Sequence, residues 1–291
     1  MTIHATAIVN PKAKINSDVD IGPHVFIDQD VTIGSGVKIQ NGASVSGRTT
    51  IGEHTEIYPG AVIGYPAQMK SSKVIGSLVI GKRNVIREYV TIHASSTADG
   101  TTVIGDDNYF MGFAHVGHDC KLANNIVVVN GTLLAGYVVV EDRVFLSGNT
   151  AVHQFVRIGE LAMIGGLSRV TKDVPPYMLA NGNSLIWSIN TVGLRRAGFS
   201  QDIIRNIRKA YVLLYRSDLN VSQALEKIKE LPANAQLQHL VEFISGSKRG
   251  ISAHARTTTS DAWLVKARVY RPMLSYGIFQ KIKRALQYER S

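Results

Sequence analysis

The chain has 291 residues, 45% of them hydrophobic and 19% charged, which suits a soluble globular protein with one large domain or two modest ones. A single cysteine, Cys120, excludes an internal disulfide framework and points to a reducing cytoplasm. The formal charge of +10 is unevenly placed: residues 248–291 carry ten Lys or Arg against Asp261 and Glu289, the rest is near neutral, and nucleic acid is not an expected partner.

No basic-then-apolar segment at the start reads as a signal peptide. The most apolar stretch, residues 126–140, is interrupted by Asn130, Gly131 and Gly136 and is too short to span a bilayer. Aliphatic residues fall at every sixth position from Ile3 through Val9, Ile15 and Ile21 to Ile63. They resume at Ile80, Ile86 and Ile92, and run again from Ile104 through Phe110, Val116, Leu134 and Val152 to Val170. A period of six is neither helical nor that of a plain amphipathic strand. It marks a coil of short strands joined at tight corners, with the aliphatic residue inward and Gly or Asn serving the corners. Gly follows the aliphatic residue at Gly22, Gly34, Gly52, Gly81 and Gly105.

Three hexads make a triangular turn of eighteen residues, and turns stack roughly 4.8 Å apart, each touching mainly its neighbours. The expected fold is an all-β parallel β-helix over residues 1–189. Two segments out of phase, 65–79 and 95–103, are expected to loop out, and loops on a rigid scaffold commonly carry recognition. Past Val170, the residues Pro175, Pro176, Asn181, Gly182 and Asn183 mark a transition. From about residue 190 the period is helical, giving an α-helical C-terminal domain over 190–291 with a basic tail, 248–291. Its clearest helix has Phe199, Ile203, Ile204, Ile207, Ala210, Tyr211 and Leu214 on one face and Ser200 as N-cap. Further helices are expected near 222–231 and 235–243.

The same period locates a site. Eighteen residues beyond His118 stands Gly136, and eighteen beyond that Gln154, next to His153. These residues should form one column on the outer surface. A neutral imidazole can take a proton from a hydroxyl, a glycine N–H can donate to an oxyanion, and Asp119 is placed to orient the imidazole. Two other readings compete: exposed polar residues on an inert solenoid, and a zinc site made by His115, His118 and His153. Zinc needs nitrogens converging at about 2.1 Å, whereas His153 lies two turns away, roughly 10 Å by stacking. No metal is expected.

At these residues the chain resembles a known family, the left-handed β-helix UDP-N-acetylglucosamine O-acyltransferases of lipid A biosynthesis. The likeness covers roughly residues 1–250. It rests on Ile86-Arg87-Glu88-Tyr89-Val90-Thr91-Ile92-His93, His115-Val116-Gly117-His118-Asp119-Cys120, Leu134-Ala135-Gly136, Ala151-Val152-His153-Gln154-Phe155, Asp173-Val174-Pro175-Pro176-Tyr177, Asn181-Gly182-Asn183 and Gly193-Leu194-Arg195-Arg196-Ala197-Gly198-Phe199. The resemblance implies a cytoplasmic homotrimer with sites between subunits. It also implies acyl transfer from acyl carrier protein to a hydroxyl of a nucleotide amino sugar, with no bound cofactor beyond the acyl-phosphopantetheine of the donor. His118 would be the general base and Gly136 the oxyanion donor. Gln68, His115, His153, Gln154, Asn190 and Arg196 match positions that hold the acceptor or pantetheine, and Met163 and Gly166 match positions lining the acyl channel.

Four residues depart from the family pattern, all on the acceptor side: Met69, Tyr137, Val192 and Ala197 stand where an Asp, a His, an acidic and a basic residue are usual. Loss of polar groups from such a site changes which acceptor fits. The expectation is therefore retained acyl-transfer chemistry with altered acceptor recognition, including a different glycan acceptor, an amide rather than an ester product, or coenzyme A as donor. The tail, longer than the family's, alternates aromatic and aliphatic residues with cations. It reads as a dock for an acidic carrier protein, as a contact with an anionic membrane surface, or as a packed helix with a solvated face.

Overall fold

Most hexads fold into a short strand that ends on its inward aliphatic residue. Asp20–Ile21, Phe26–Ile27 and Thr32–Ile33 form the three sides of one turn. The structure is a computed structural model that describes residues 1–70 and 76–255. Among these, three sheets run the length of the coil. The first contains Thr2–Ile3 and eleven further strands, the second Ile8–Val9 and eight, the third Lys14–Ile15 and seven. Pairing between turns is parallel, with Ile21 beside Ile39, Ile39 beside Ile57, and Val116 beside Leu134 and then Val152. The inward side chains are almost wholly buried, Ile27, Ile57, Ile63, Ile86 and Val128 at 0% exposure. Each such burial stabilises by roughly 1.5–3 kcal/mol.

The phase breaks appear as long registers. Ile63 pairs with Ile92, and Ile92 with Val116, while the sheet continues through both. The loops are shorter than residues 65–79 and 95–103. Ser77–Ile80 and Thr101–Ile104 are full strands, paired with each other, and Ser77–Ile80 pairs on its other side with Arg48–Ile51. In these strands a second residue, Leu78 or Thr102, turns inward two places before Ile80 or Ile104. A six-residue period cannot show that extra alternation.

The corners also depart from the expected chemistry. The left-handed backbone region falls on the third residue past the inward aliphatic one. Gly36, Gly42, Gly60, Gly131, Asn125 and Asn149 hold it as expected, but at other corners it is occupied by larger residues such as His24, His54, Tyr89, Phe113, Asp119, Tyr137 and Phe155, with φ between 55° and 64°. The glycine directly after the aliphatic residue is needed for closeness instead. A Cβ on Gly52 would lie 2.5 Å from the carbonyl carbon and oxygen of Gly81 in the next turn.

Beyond the coil the first sheet gains Met178–Asn181 beside Met163–Ile164, then the antiparallel Leu185–Ile189, then Ala253–His254. Four helices follow the hairpin: α1 (Thr191–Arg196), α2 (Gln201–Tyr215), α3 (Val221–Lys229) and α4 (Ala235–Ser245). Ser200 caps α2 by accepting from Ile203 N–H, and Ile204, Ile207, Ala210, Tyr211 and Leu214 form its buried face. The helices share one hydrophobic cluster with the coil rather than closing a separate core. Arg157 reaches from the third sheet to the Phe243 carbonyl at 3.1 Å and lies 4.1 Å above the Phe243 ring. Tyr211 donates to the Trp187 carbonyl at 2.9 Å. No helix among the described residues is long and apolar enough to cross a membrane. The basic tail from residue 256 on, with the docking and membrane readings attached to it, lies outside the described residues.

Gly52→Ala must push backbone against backbone, and is expected to lower unfolding free energy by about 1–3 kcal/mol. Gly42, with φ at 67° and no neighbour within 4 Å of a built Cβ, should accept Asn within about 1 kcal/mol. Urea unfolding midpoints of the two variants check the contrast.

Candidate active site

His118 and Asp119 sit on the corner that follows His115–Val116 in the second sheet. His118 is 8% exposed, and its Nδ1 donates to Asp119 Oδ2 at 2.7 Å. That bond leaves Nε2 as the free, basic nitrogen of the neutral ring. Gly136 occupies the next turn, as the period requires. A Cβ there would lie 2.6 Å from His118 Nε2 and 2.5 Å from Cε1, so the bare glycine backbone makes room for the imidazole. The Gly136 N–H donates to no described backbone carbonyl, whereas its neighbours Ala135 and Tyr137 donate to Val152 and His118. A basic nitrogen thus lies beside a glycine whose N–H has no described backbone acceptor.

Asp119 receives Ser95 Oγ on Oδ1, and Ser96 N–H and Oγ on Oδ2, at 3.2 and 2.7 Å for the latter two. Burial would raise this carboxyl, but the hydrogen bonds from Ser95, His118 and Ser96 outweigh it and hold the pKa at about 2. Both serines belong to the second insertion. The first insertion is tied in by His93, whose Nδ1 donates to the Pro66 carbonyl at 2.8 Å. No pattern in the sequence marked Ser95 or Ser96, because the second insertion breaks the period that located the column; His93 stands in the run 86–93 that carries the resemblance, but its tie to Pro66 is not legible there.

His115 is pinned by Thr91 Oγ1 at 2.8 Å, and its ring stands 5.2 Å from that of His93. Burial, then the neighbouring His93 and His118, push its pKa down to about 4. His153 and Gln154 reach the column's upper end and are exposed, with Arg249 Nη2 3.4 Å from His153 Nδ1. Among the described residues no three His, Cys, Asp or Glu side chains are arranged to hold a metal ion.

The remaining predicted residues are dispersed. Gln68 is exposed on the first insertion, and Arg196 is exposed at the end of α1. Asn190 is buried and already engaged: its Oδ1 caps α1 through Gly193 N–H at 3.0 Å, and its Nδ2 donates to the Leu161 carbonyl at 2.9 Å. Met163 lies on the first sheet and Gly166 on the corner just past it. They therefore occupy a different edge of the prism from His118, and a single chain does not bring them together. Cavities of about 560 and 400 Å³, between α3 and α4 and between α4 and the third sheet, are lined by none of His118, Asp119 and Gly136.

A parallel β-helix of hexads carrying an imidazole–carboxylate pair beside an open glycine N–H defines a hexapeptide-repeat transferase, and the model of bacterial transferase hexapeptides matches residues 30–65. Within that class, the family model described as UDP-N-acetylglucosamine O-acyltransferase, domain 2, matches residues 173–252. The acyl-[acyl-carrier-protein]–UDP-N-acetylglucosamine O-acyltransferase of Thermodesulfovibrio yellowstonii is 47% identical over 86% of this chain and 98% of its own. That of Burkholderia lata is 48% identical over the same shares. The solved UDP-N-acetylglucosamine acyltransferase of Bacteroides fragilis superposes with a TM-score of 0.82 at 42% identity, covering 86% of this chain and 99% of that one. The chain belongs to the UDP-N-acetylglucosamine O-acyltransferase family.

The two depressed pKa values act in the same direction. Asp119 is lowered from 3.8 to about 2, so its contribution is present above the unfolded value and is lost as pH falls through the folded one. His115, lowered from 6.5 to about 4, makes the unfolded chain the better proton acceptor below the unfolded value, which also lowers stability. Imidazole NMR should show His115 neutral down to about pH 4. The stability gap between the native protein and Asp119→Asn should shrink as pH falls from the ordinary carboxylate range toward about 2.

Proposed function

We propose that the protein moves an acyl chain from the phosphopantetheine thioester of acyl carrier protein to a hydroxyl of UDP-N-acetylglucosamine, the first step of lipid A synthesis, in the cytoplasm. The observation that carries this reading is the His118–Asp119 pair with its free Nε2 set against the open Gly136 N–H. Nε2 takes the proton of the acceptor hydroxyl while that oxygen attacks the thioester carbonyl. Gly136 N–H donates to the oxyanion that forms. Collapse breaks the carbon–sulfur bond, and the imidazolium returns its proton to the departing thiolate. Asp119 keeps the imidazole in the required tautomer and offsets its positive charge. The pantetheine arrives with the carrier as part of the substrate.

The assembly that fits is a homotrimer with the site between subunits. His118 stands on an outer corner, with Met163 and Gly166 on another edge. Tyr89, Phe113, Leu133, Phe155 and Leu167 leave large apolar surfaces, 49–81% exposed, on the second sheet and its two edges. Such a strip wants a partner, and a second copy would bring one chain's Met163 edge toward another's His118. Gln68, His115, His153, Gln154, Asn190 and Arg196 keep the acceptor and pantetheine roles that the resemblance implies, Asn190 by its backbone and by the start of α1.

A second reading, an altered acceptor, draws on the four departures. Met69 is 44% and Val192 58% exposed, without charge, and the Tyr137 hydroxyl is within 3.2 Å of Ser96 Oγ. Mass spectrometry of products from UDP-N-acetylglucosamine and its 3-amino analogue separates ester from amide. Tight binding and full turnover of the former would remove this second reading.

His118→Ala should lower kcat by about 10²–10⁴-fold with the oligomer intact. Gly136→Ala, which places a methyl against the imidazole, should cost about 10²-fold or more. An inert solenoid predicts no change in either variant. Turnover of acyl carrier protein thioester decides the matter, and the same assay with the coenzyme A thioester tests the donor.

A further inference from the structure

Asp119 is held by more donors than the imidazole alone supplies, and one of them leads outward. Ser96 has a single hydroxyl proton. It goes to Asp119 Oδ2 at 2.7 Å, so at its 3.2 Å contact with Tyr137 the serine oxygen accepts and the phenol donates. Hydrogen bonds therefore run from Tyr137 OH to Ser96 Oγ to Asp119 Oδ2, and His118 Nδ1 donates to that same carboxylate oxygen.

The Tyr137 ring meets the other side of the site. It stands at 88° to the imidazole with centroids 5.3 Å apart, and lies flat on Phe155 at 4.7 Å and 12°. Asp119, Tyr137 and Phe155 occupy equivalent corners of three successive turns, each with φ between 61° and 64°. Backbone bonds from Tyr137 N–H to the His118 carbonyl and from Phe155 N–H to the Gly136 carbonyl, at 3.0 and 3.2 Å, lock the column.

We infer that Ser96 and Tyr137 are positioning residues for acyl transfer: the phenol holds Ser96, Ser96 holds Asp119, and Asp119 with the Tyr137 ring fixes the imidazole facing Gly136. This rests on His118 being the base. It makes the second insertion part of the catalytic apparatus, and it commits the Tyr137 hydroxyl to the chain's own loop rather than to the acceptor.

Steady-state kinetics of the full-length protein with both substrates varied test it. Ser96→Ala and Tyr137→Phe should each lower kcat by about 3–30-fold with both KM values within about twofold, the signature of lost orientation rather than lost binding. Ser96→Thr, which keeps the hydroxyl, should retain kcat within about threefold. Because Ser96 acts through Asp119, adding Ser96→Ala to Asp119→Ala should change nothing further. A raised acceptor KM with unchanged kcat in Tyr137→Phe would overturn the inference, as would a Ser96→Ala loss that multiplies that of Asp119→Ala. An active His118→Ala in the same assay would instead remove the base itself, whatever Ser96 does.

Discussion

Parallel stacking of turns, at an eighteen-residue step wherever no insertion intervenes, is the constraint that everything else in this molecule inherits. It places Val116, Leu134 and Val152 one above another with inward side chains, and their neighbours must follow. Two residues outward from each lie His118, Gly136 and Gln154. One residue further lie Asp119, Tyr137 and Phe155, all in the left-handed region. The site is thus a by-product of register, and a slip of one residue in any turn would turn the column's side chains to other faces. The backbone closeness this requires is visible in Gly52 and Gly136, where an added Cβ meets the next turn's backbone in one case and the imidazole in the other.

Rigidity of this kind suits acyl transfer. A general base contributes most when its orientation is already set before the substrate arrives. The coil supplies the backbone and the insertions supply the clamp. Ser95 and Ser96, from a segment outside the repeat, bind Asp119 and keep it ionised, while the regular corner contributes His118, Tyr137 and Phe155. The loop thereby reaches the imidazole through a carboxylate rather than directly.

Much of this was legible without coordinates. Hexads marked the coil, the phase breaks marked the insertions, and spacing set Gly136 above His118. The helical face of α2 and its Ser200 cap follow from periodicity and from the need to satisfy the first N–H groups of the helix. Less legible was the division of labour at the corners. Glycines directly after the aliphatic residue look like turn formers, yet their purpose is clearance, and the left-handed backbone angle falls two places later, on Gly or Asn at some corners and on His, Tyr, Phe or Asp at others. Asn190, matched to a ligand-holding position, turned out to cap α1 with its side chain, a role that depends on where the chain enters the helix.

The amino-acid sequence alone determined the coil, its step, the order of its faces and the stacking of His118, Gly136 and Gln154, because those follow from short-range periodicity repeated many times. Only the tertiary structure decided what reaches the column from outside the repeat. Ser95 and Ser96 come from a segment with no period, so their approach to Asp119 depends on how that insertion returns to the sheet, and the tie from His93 to Pro66 depends likewise on the course of the first insertion. The same holds for the separation of Met163 and Gly166 from His118, which register places on different edges of the prism.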